Sequence, residues 1–363
     1  MAFRSTRALA TATAGLTTLV ALAGCSSATS AEGDRAEVIS AINKAMSTSD
    51  YSCDEPNADT VTDVSVAALP LLSNGAIYAG IDEGFFEKHG LKLLVSPVSS
   101  PSALIAAVQG GTTDFAFTGT IGAFQAIDQG IPLTIVAPFA GIAPGYWDKM
   151  QAGEEGYERE VTALMVAPDS GIEDPGDLDG KVVAVMDAKG QGELATRNVI
   201  DLHGGDPDSV QYVVMGLADA TNALMAGQVD AAFTAEPAMV PAEEAGYEII
   251  SWPTLETFHE GPTSAMISSN DFVLNNPDVV ARFNCAITES TAFANENHDV
   301  IREVTAREQG VDPATLANAV VPYFYQTVDL EGFQRFLNVL ESHGFVTSEI
   351  DLNEYIISAA LNP

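Results

Sequence analysis

The chain has 363 residues, 50 acidic against 15 basic, for a net charge of −35 and a hydrophobic content of 47%. Such an acidic balance excludes the basic footprint of a nucleic-acid binder, and it favours solubility and distance from anionic lipid headgroups. The length and apolar content suit a folded body with a large core, divided over two lobes.

Residues 1–24 run from Arg4 and Arg7 through an apolar stretch of Ala, Leu, Val and Thr to Leu22-Ala23-Gly24, directly before Cys25. A basic start, a short apolar core and small residues before a cysteine read as a lipoprotein signal peptide, cleaved to leave Cys25 at the N-terminus for lipidation. The apolar run from Ala8 to Ala23 is shorter than the roughly 20 residues a spanning helix needs. The expected location is the extracytoplasmic face of the cell membrane, held to the lipid bilayer through Cys25. In that oxidising setting the remaining pair, Cys53 and Cys285, predicts a disulfide.

Residues 26–33 are small and polar and read as a tether. A helix is expected from Asp34, with Ala36, Ile39, Ile42 and Met46 on one apolar stripe that docks on the main body. Residues 25–60 thus form a tether plus helical extension.

From Val64 short β-branched or apolar runs (Val64 to Leu69, Lys92 to Val98, Asp114 to Thr118, Leu133 to Pro138) alternate with helical patterns at Asn74 to Phe86, Ser102 to Gln109 and Ile121 to Gln129. After an irregular segment, Gly141 to Glu160, the pattern restarts. Strands are expected at Thr162 to Ala167, Lys181 to Met186, Val210 to Met215, Ala231 to Thr234 and Glu248 to Ser251, with helices between them. A last strand at Ser264 to Ser268 precedes a mostly helical tail from Pro277. Strands alternating with helices imply α/β sheets covered on both faces.

Several segments resemble the extracytoplasmic solute-binding proteins of ABC importers, in the branch serving nitrate, taurine, aliphatic sulfonates and thiamine-pyrimidine precursors. Ala79 to Leu91, with Gly84-Phe85-Phe86 and Gly90-Leu91, looks like that branch's opening helix and turn. Ala106 to Ala116 and its echo Ala223 to Ala232 are similar to the family's "Ala-Leu-x-x-Gly-x-x-Asp-x-Ala" step. Asp169 to Ile172 and Asp177 to Val185 look like its entry into a second lobe. The resemblance implies a two-lobe fold of the periplasmic-binding-protein type II kind, crossed twice by the chain near Ala167 and Thr263, with a ligand cleft. Residues 61–165 and 264–363 would form lobe I and residues 166–263 lobe II. It also implies a small-molecule solute and an ABC permease as partners; a monomer is expected.

Ligands of open α/β sheets collect beyond the carboxyl ends of the strands, where helix N-termini offer unpaired N–H groups. In lobe I the small polar turns there are Ser73-Asn74, Ser99-Ser100 and Thr118-Gly119-Thr120; each residue can equally act as a helix cap. In lobe II, Lys189-Gly190-Gln191-Gly192 follows a strand and suits an anion at a helix N-terminus, with Lys189 adding charge or lying solvated in a turn. With Ala195 the same run spells a loose dinucleotide fingerprint, which an exported protein would have little occasion to use. Glu236 could receive an amine or pyrimidine N–H, or cap the next helix. It opposes Lys189 in the choice of ligand charge. Tyr146 and Trp147 either stack on a planar ligand or pack within their own insertion.

The five histidines are scattered without two-ligand spacing, and no Gly-x-Ser-x-Gly elbow occurs. No metal, no cofactor and no catalysis are expected. The open alternatives are an exported enzyme on the same fold and a sensor that passes its ligand to a membrane receptor.

Overall fold

The computed structural model describes residues 30–49, 51–56, 60–98, 100–236 and 238–361. The expected signal peptide and Cys25 lie outside the described residues. The first helix, Ser30–Met46, begins before the expected Asp34. It buries Ile39, Ile42 and Met46 against the helices Asn270–Asn275 and Pro277–Glu296, while Ala36 stays exposed. Just beyond it Cys53 and Cys285 are joined by a disulfide, with Cα atoms 5.4 Å apart. The Tyr51 hydroxyl also meets Nδ1 of the fully buried His89 at 2.5 Å. The extension is therefore fastened by an apolar stripe, a covalent staple and a buried polar contact.

Among the described residues thirteen strands follow in chain order. The first sheet takes β1 (Thr62–Ala68), β2 (Leu91–Pro97), β3 (Phe115–Gly119) and β4 (Leu133–Pro138); β5 (Ala140–Ile142) leads away from it. The second takes β6 (Thr162–Val166), β7 (Val182–Val185), β8 (Gln211–Val214), β9 (Ala231–Ala235) and β10 (Glu248–Ser251). The chain returns through β11 (Gly261–Pro262) into β12 (Ser264–Ser269), and β13 (Tyr323–Phe324) follows later.

The first sheet has the order β2-β1-β3-β12-β4 and the second β8-β7-β9-β6-β10. In each, three parallel strands are followed by one antiparallel strand and then by a further strand antiparallel to that one. The antiparallel strand is the one delivered by a crossing: β6 on the way out and β12 on the way back. This pairing corrects the expected boundary at 165/166, which cuts β6. A strand cannot be divided between sheets when all five of its residues pair with β9, so the second sheet begins at Thr162.

Strand composition follows position. β6 and β9 are buried throughout, because helices cover both faces of the sheet. The edge strand β2 alternates instead and leaves Leu94 exposed. β4 is an edge strand yet wholly buried, since Ile135 bonds the backbone of Tyr355 and Ile357 and the C-terminal segment covers that edge. Along β6, Leu164 and Val166 enter one apolar cluster while Ala163 and Met165 enter another on the opposite face, the expected period of two.

Two local expectations change. The run Asn74 to Phe86 is two helices, Gly75–Asp82 and Phe85–Lys88, because Gly84 between them takes φ 77°, a left-handed turn that glycine makes without strain. The irregular segment 141–160 contains part of β5 and the helix Tyr146–Gln151. Phe258 of the helix Pro253–Phe258 stacks on Phe336 of the helix Leu330–Ser342, with centroids 3.7 Å apart and planes at 8°. The tail thereby ties the second sheet's layer to the first.

Candidate ligand cleft

Because the antiparallel strand runs backwards, its start lies beside the carboxyl ends of its neighbours. Thus Ser264 pairs with Gly119 in the first sheet and Thr162 with Ala235 in the second. The two edges face each other across a cavity of about 1060 Å³. Its walls are mainly apolar, including Leu69, Leu71, Ile105 and Phe117 on one side and Met186, Leu217 and Phe233 on the other.

On the first side the polar groups are neutral. Ser73, Ser100, Ser102 and Gly119 line the cavity, with Gln109, Gln125 and Gln129 further along. Ser100 caps the helix Pro101–Gln109 by accepting from the Ala103 N–H, with Ser102 Oγ 3.2 Å from its own Oγ. Gly119 caps the helix Thr120–Asp128 without a side chain. Gln125 reaches across and donates to the carbonyl of Lys189, a direct hydrogen bond between the two sides.

The second side is acidic. Glu160 (7% exposed), Asp187 and Glu236 (9% exposed) all line the cavity. Glu160 accepts from the Thr162 N–H and hydroxyl, each at 2.7 Å. Thr162 Oγ1 lies 2.8 Å from Thr254 Oγ1, which accepts from Gln191 at 3.2 Å. Burial pushes the Glu160 carboxyl above the usual range against these bonds. Asp187 is pushed up to about 6 by burial, opposed by the Gly192 N–H and reinforced by Glu193; its Oδ1 is buried with no hydrogen-bond partner. Burial also raises Glu236, while Arg159, donating at 2.7 Å, pulls it back.

The helix Gln191–Leu202 shows why Gly190 must be glycine. A Cβ there would lie 1.7 Å from Oδ2 of Asp187. The expected anion cradle at Gly190-Gln191-Gly192 therefore already holds the chain's own carboxylate. Lys189 is exposed, at φ 55°, and is not part of the cavity wall; its N–H is held by Glu193. Among the described lining residues there is no Lys, Arg or His.

Of the expected binding residues, the cavity brings together Ser73, Ser100, Gly119, Gly190, Gln191 and Glu236. Ser99 lies outside the described residues. Asn74 is buried and bonds the Leu69 carbonyl, fixing its own turn. Strand alternation puts Phe117 and Gly119 on the wall and turns Thr118 inward, where its hydroxyl has no partner. Thr120 bonds the Pro262 carbonyl at 2.7 Å and pins the returning strand. Gly192 packs on Phe233. Tyr146 bonds the Arg159 carbonyl and Trp147 stacks on His259, so these aromatics pack within and beside their insertion, away from the cleft. Sequence reasoning missed Glu160 and Asp187. Asp187 had a readable signal, as the second residue beyond a parallel strand at a glycine turn; Glu160 had none, because only a reversed strand brings it to that edge.

Two α/β units of like strand order facing each other across a cleft define the periplasmic-binding-protein fold, and solved structures agree. The periplasmic aliphatic sulphonate binding protein SsuA from Escherichia coli matches with a TM-score of 0.64 at 16% identity, over 83% of this chain and 99% of that one. The periplasmic nitrate-binding protein NrtA from Synechocystis PCC 6803 matches at 0.63 and 14%, over 82% and 85%. A Brucella abortus (strain 2308) protein, provisionally named a binding protein, is 26% identical over 238 residues, 65% of this chain and 67% of its own length. The family model described as NMT1/THI5 like matches residues 73–144 and 153–300, more than half of the chain; the protein belongs to that family.

Proposed function

We propose that this protein is the solute-binding component of an ABC importer, tethered outside the cell membrane by lipid on Cys25, and that it captures a small sulfonate-, nitrate- or pyrimidine-like molecule and delivers it to a permease. The observation that carries the reading is the cavity of about 1060 Å³ between the carboxyl ends of two like sheets, where ligands of α/β folds collect. The names of the sulphonate- and nitrate-binding neighbours and of the Brucella relative support it. Lobe closure would trap the solute, and the Gln125 contact with Lys189 is suited to a closed form. Catalysis is not part of the proposal. The specific observation in favour of an enzyme is that a neighbour with a TM-score of 0.59 is described as the desulfurization enzyme DSZB.

A thermal-shift screen of small solutes tests the binding reading, because a ligand selective for the folded state raises the melting temperature by mass action. A hit recovered unchanged after long incubation supports binding, whereas turnover supports the enzyme. Metabolic labelling with a fatty acid should mark the wild type and not Cys25→Ala; equal labelling of both would remove the anchor from the proposal.

A further inference from the structure

We infer that the cleft selects a nitrogenous cation over an anion: a molecule with an apolar body and a protonated amine or amidine head directed at Asp187 and Glu160. The inference rests on the proposed solute-binding role and, of the solutes named there, favours the nitrogenous, pyrimidine-like kind over the sulfonate- and nitrate-like ones.

The charge of the wall is the first argument. Three carboxylates line the cavity and no described lining residue is cationic. The nearby guanidinium, Arg159, is already engaged by Glu236 at 2.7 Å and by Glu243 at 2.7 and 3.0 Å. A sulfonate or nitrate would sit among these carboxylates with no counter-charge, and buried charge without a partner is strongly unfavourable.

Occupancy is the second. The strongest anion-binding element of the second side, the N-terminus of the helix Gln191–Leu202, is filled by Asp187, whose carboxylate lies where a side chain at residue 190 would be. An incoming anion would have to displace it.

The third is an unmet need for a donor. Oδ1 of Asp187 is buried and accepts nothing, and an unsatisfied buried acceptor costs about 1–3 kcal/mol. Ligand N–H groups would remove that cost and neutralise the charge together. The neutral first side then supplies Ser73, Ser100 and Ser102 for peripheral contacts, while Phe117 and Phe233 cover an apolar body. The acidic chain as a whole steers cations toward the cleft.

Matched probes test this, each a phenyl ring with a different head: benzamidine against benzoate and benzenesulfonate, with nitrate alongside. Binding to the full-length chain in neutral detergent is measured at pH 8 by calorimetry and ligand-observed NMR into the millimolar range. Benzamidine is expected to bind roughly tenfold or more tightly than either anion, as one charge-assisted hydrogen bond implies. Asp187→Asn should remove most of that preference, and Glu160→Gln should reduce it. Benzenesulfonate or nitrate binding as tightly as benzamidine would overturn the inference and leave the binding-protein reading intact. No saturable binding by any probe would overturn both. Unchanged benzamidine affinity in both folded variants would overturn the assigned head-group site; should neither variant fold, the wild-type preference decides.

Discussion

At the cleft edge of the first lobe stand Ser73, Ser100, Ser102 and Gly119, all neutral, whereas the second lobe, with the same strand order, brings Glu160, Asp187 and Glu236 to the equivalent edge. The lobes differ in fastening as well. The first carries the disulfide, the docked N-terminal helix and the covered β4 edge, while the second relies on two smaller apolar clusters and the stacked Phe258–Phe336 pair. A shared topology therefore determines where the cleft lies, because strand direction places the edges. It leaves the chemistry open, because residues just past a strand end contribute little to sheet packing and can be neutral or charged without changing the fold.

The largest expected effect probes the fastening. Replacing Cys53 and Cys285 by serine removes a cross-link over 232 residues and should cost on the order of 5 kcal/mol by loop entropy. Hydrogen exchange should show the loss of protection concentrated in first-lobe peptides. Equal loss in both lobes would mean that they unfold as one unit and would erase this half of the contrast.

Next comes the acidic edge. A carboxyl whose folded-state pKa lies above its unfolded value favours folding only while protonated, so the contribution of Asp187 is present below about pH 3.8 and is lost as pH rises through about 6. Asp187→Asn should therefore stabilise the protein by roughly 2–3 kcal/mol at pH 7 to 8, with the gain shrinking towards zero near pH 4. Denaturant melts across that range check the sign. A destabilised variant at pH 8 would mean that the carboxylate is held by more than the Gly192 N–H, strongly enough to outweigh burial and the repulsion from Glu193.

On the neutral side, Thr118→Val keeps the shape and removes a buried hydroxyl without a partner. A gain of about 1 kcal/mol and unchanged ligand affinity are expected. Weakened affinity would return Thr118 to the site. The smallest effect concerns the contact between lobes: Gln125→Ala removes one hydrogen bond to Lys189, worth about 0.5–1.5 kcal/mol. Solution scattering should detect a larger radius of gyration for the ligand-free variant, and an unchanged radius would show that this bond does not hold the lobes.

Much of the architecture was legible along the chain. The alternation of apolar runs and helical patterns located ten of the strands to within two residues at each end, since a buried strand needs a continuous apolar run wherever it lies. The short β5, β11 and β13 were not legible. Strands of two or three residues carry no period, and only pairing with one another defines them.

The candidate cleft was open in charge along the sequence, with Lys189 and Glu236 opposed; of the two, Glu236 lines the cavity and Lys189 does not. Gly190 is expected at a helix N-terminus suited to an anion, and the carboxylate found against it is the chain's own Asp187. Lys189 carries the right charge for an anion, but it is exposed at φ 55° and is not among the residues that line the cavity.

By itself the sequence determined the net charge, the order of strands and helices, and the residues at each strand end, all of which follow from local composition and periodicity. Only tertiary structure decided that Glu160, Asp187 and Glu236 share one edge, that Thr118 faces inward, and that no cation is present among the described residues of the wall. The physical reason is strand direction. A reversed β6 carries Glu160 to the carboxyl ends of strands far along the chain, and no local pattern records which way a neighbouring strand runs.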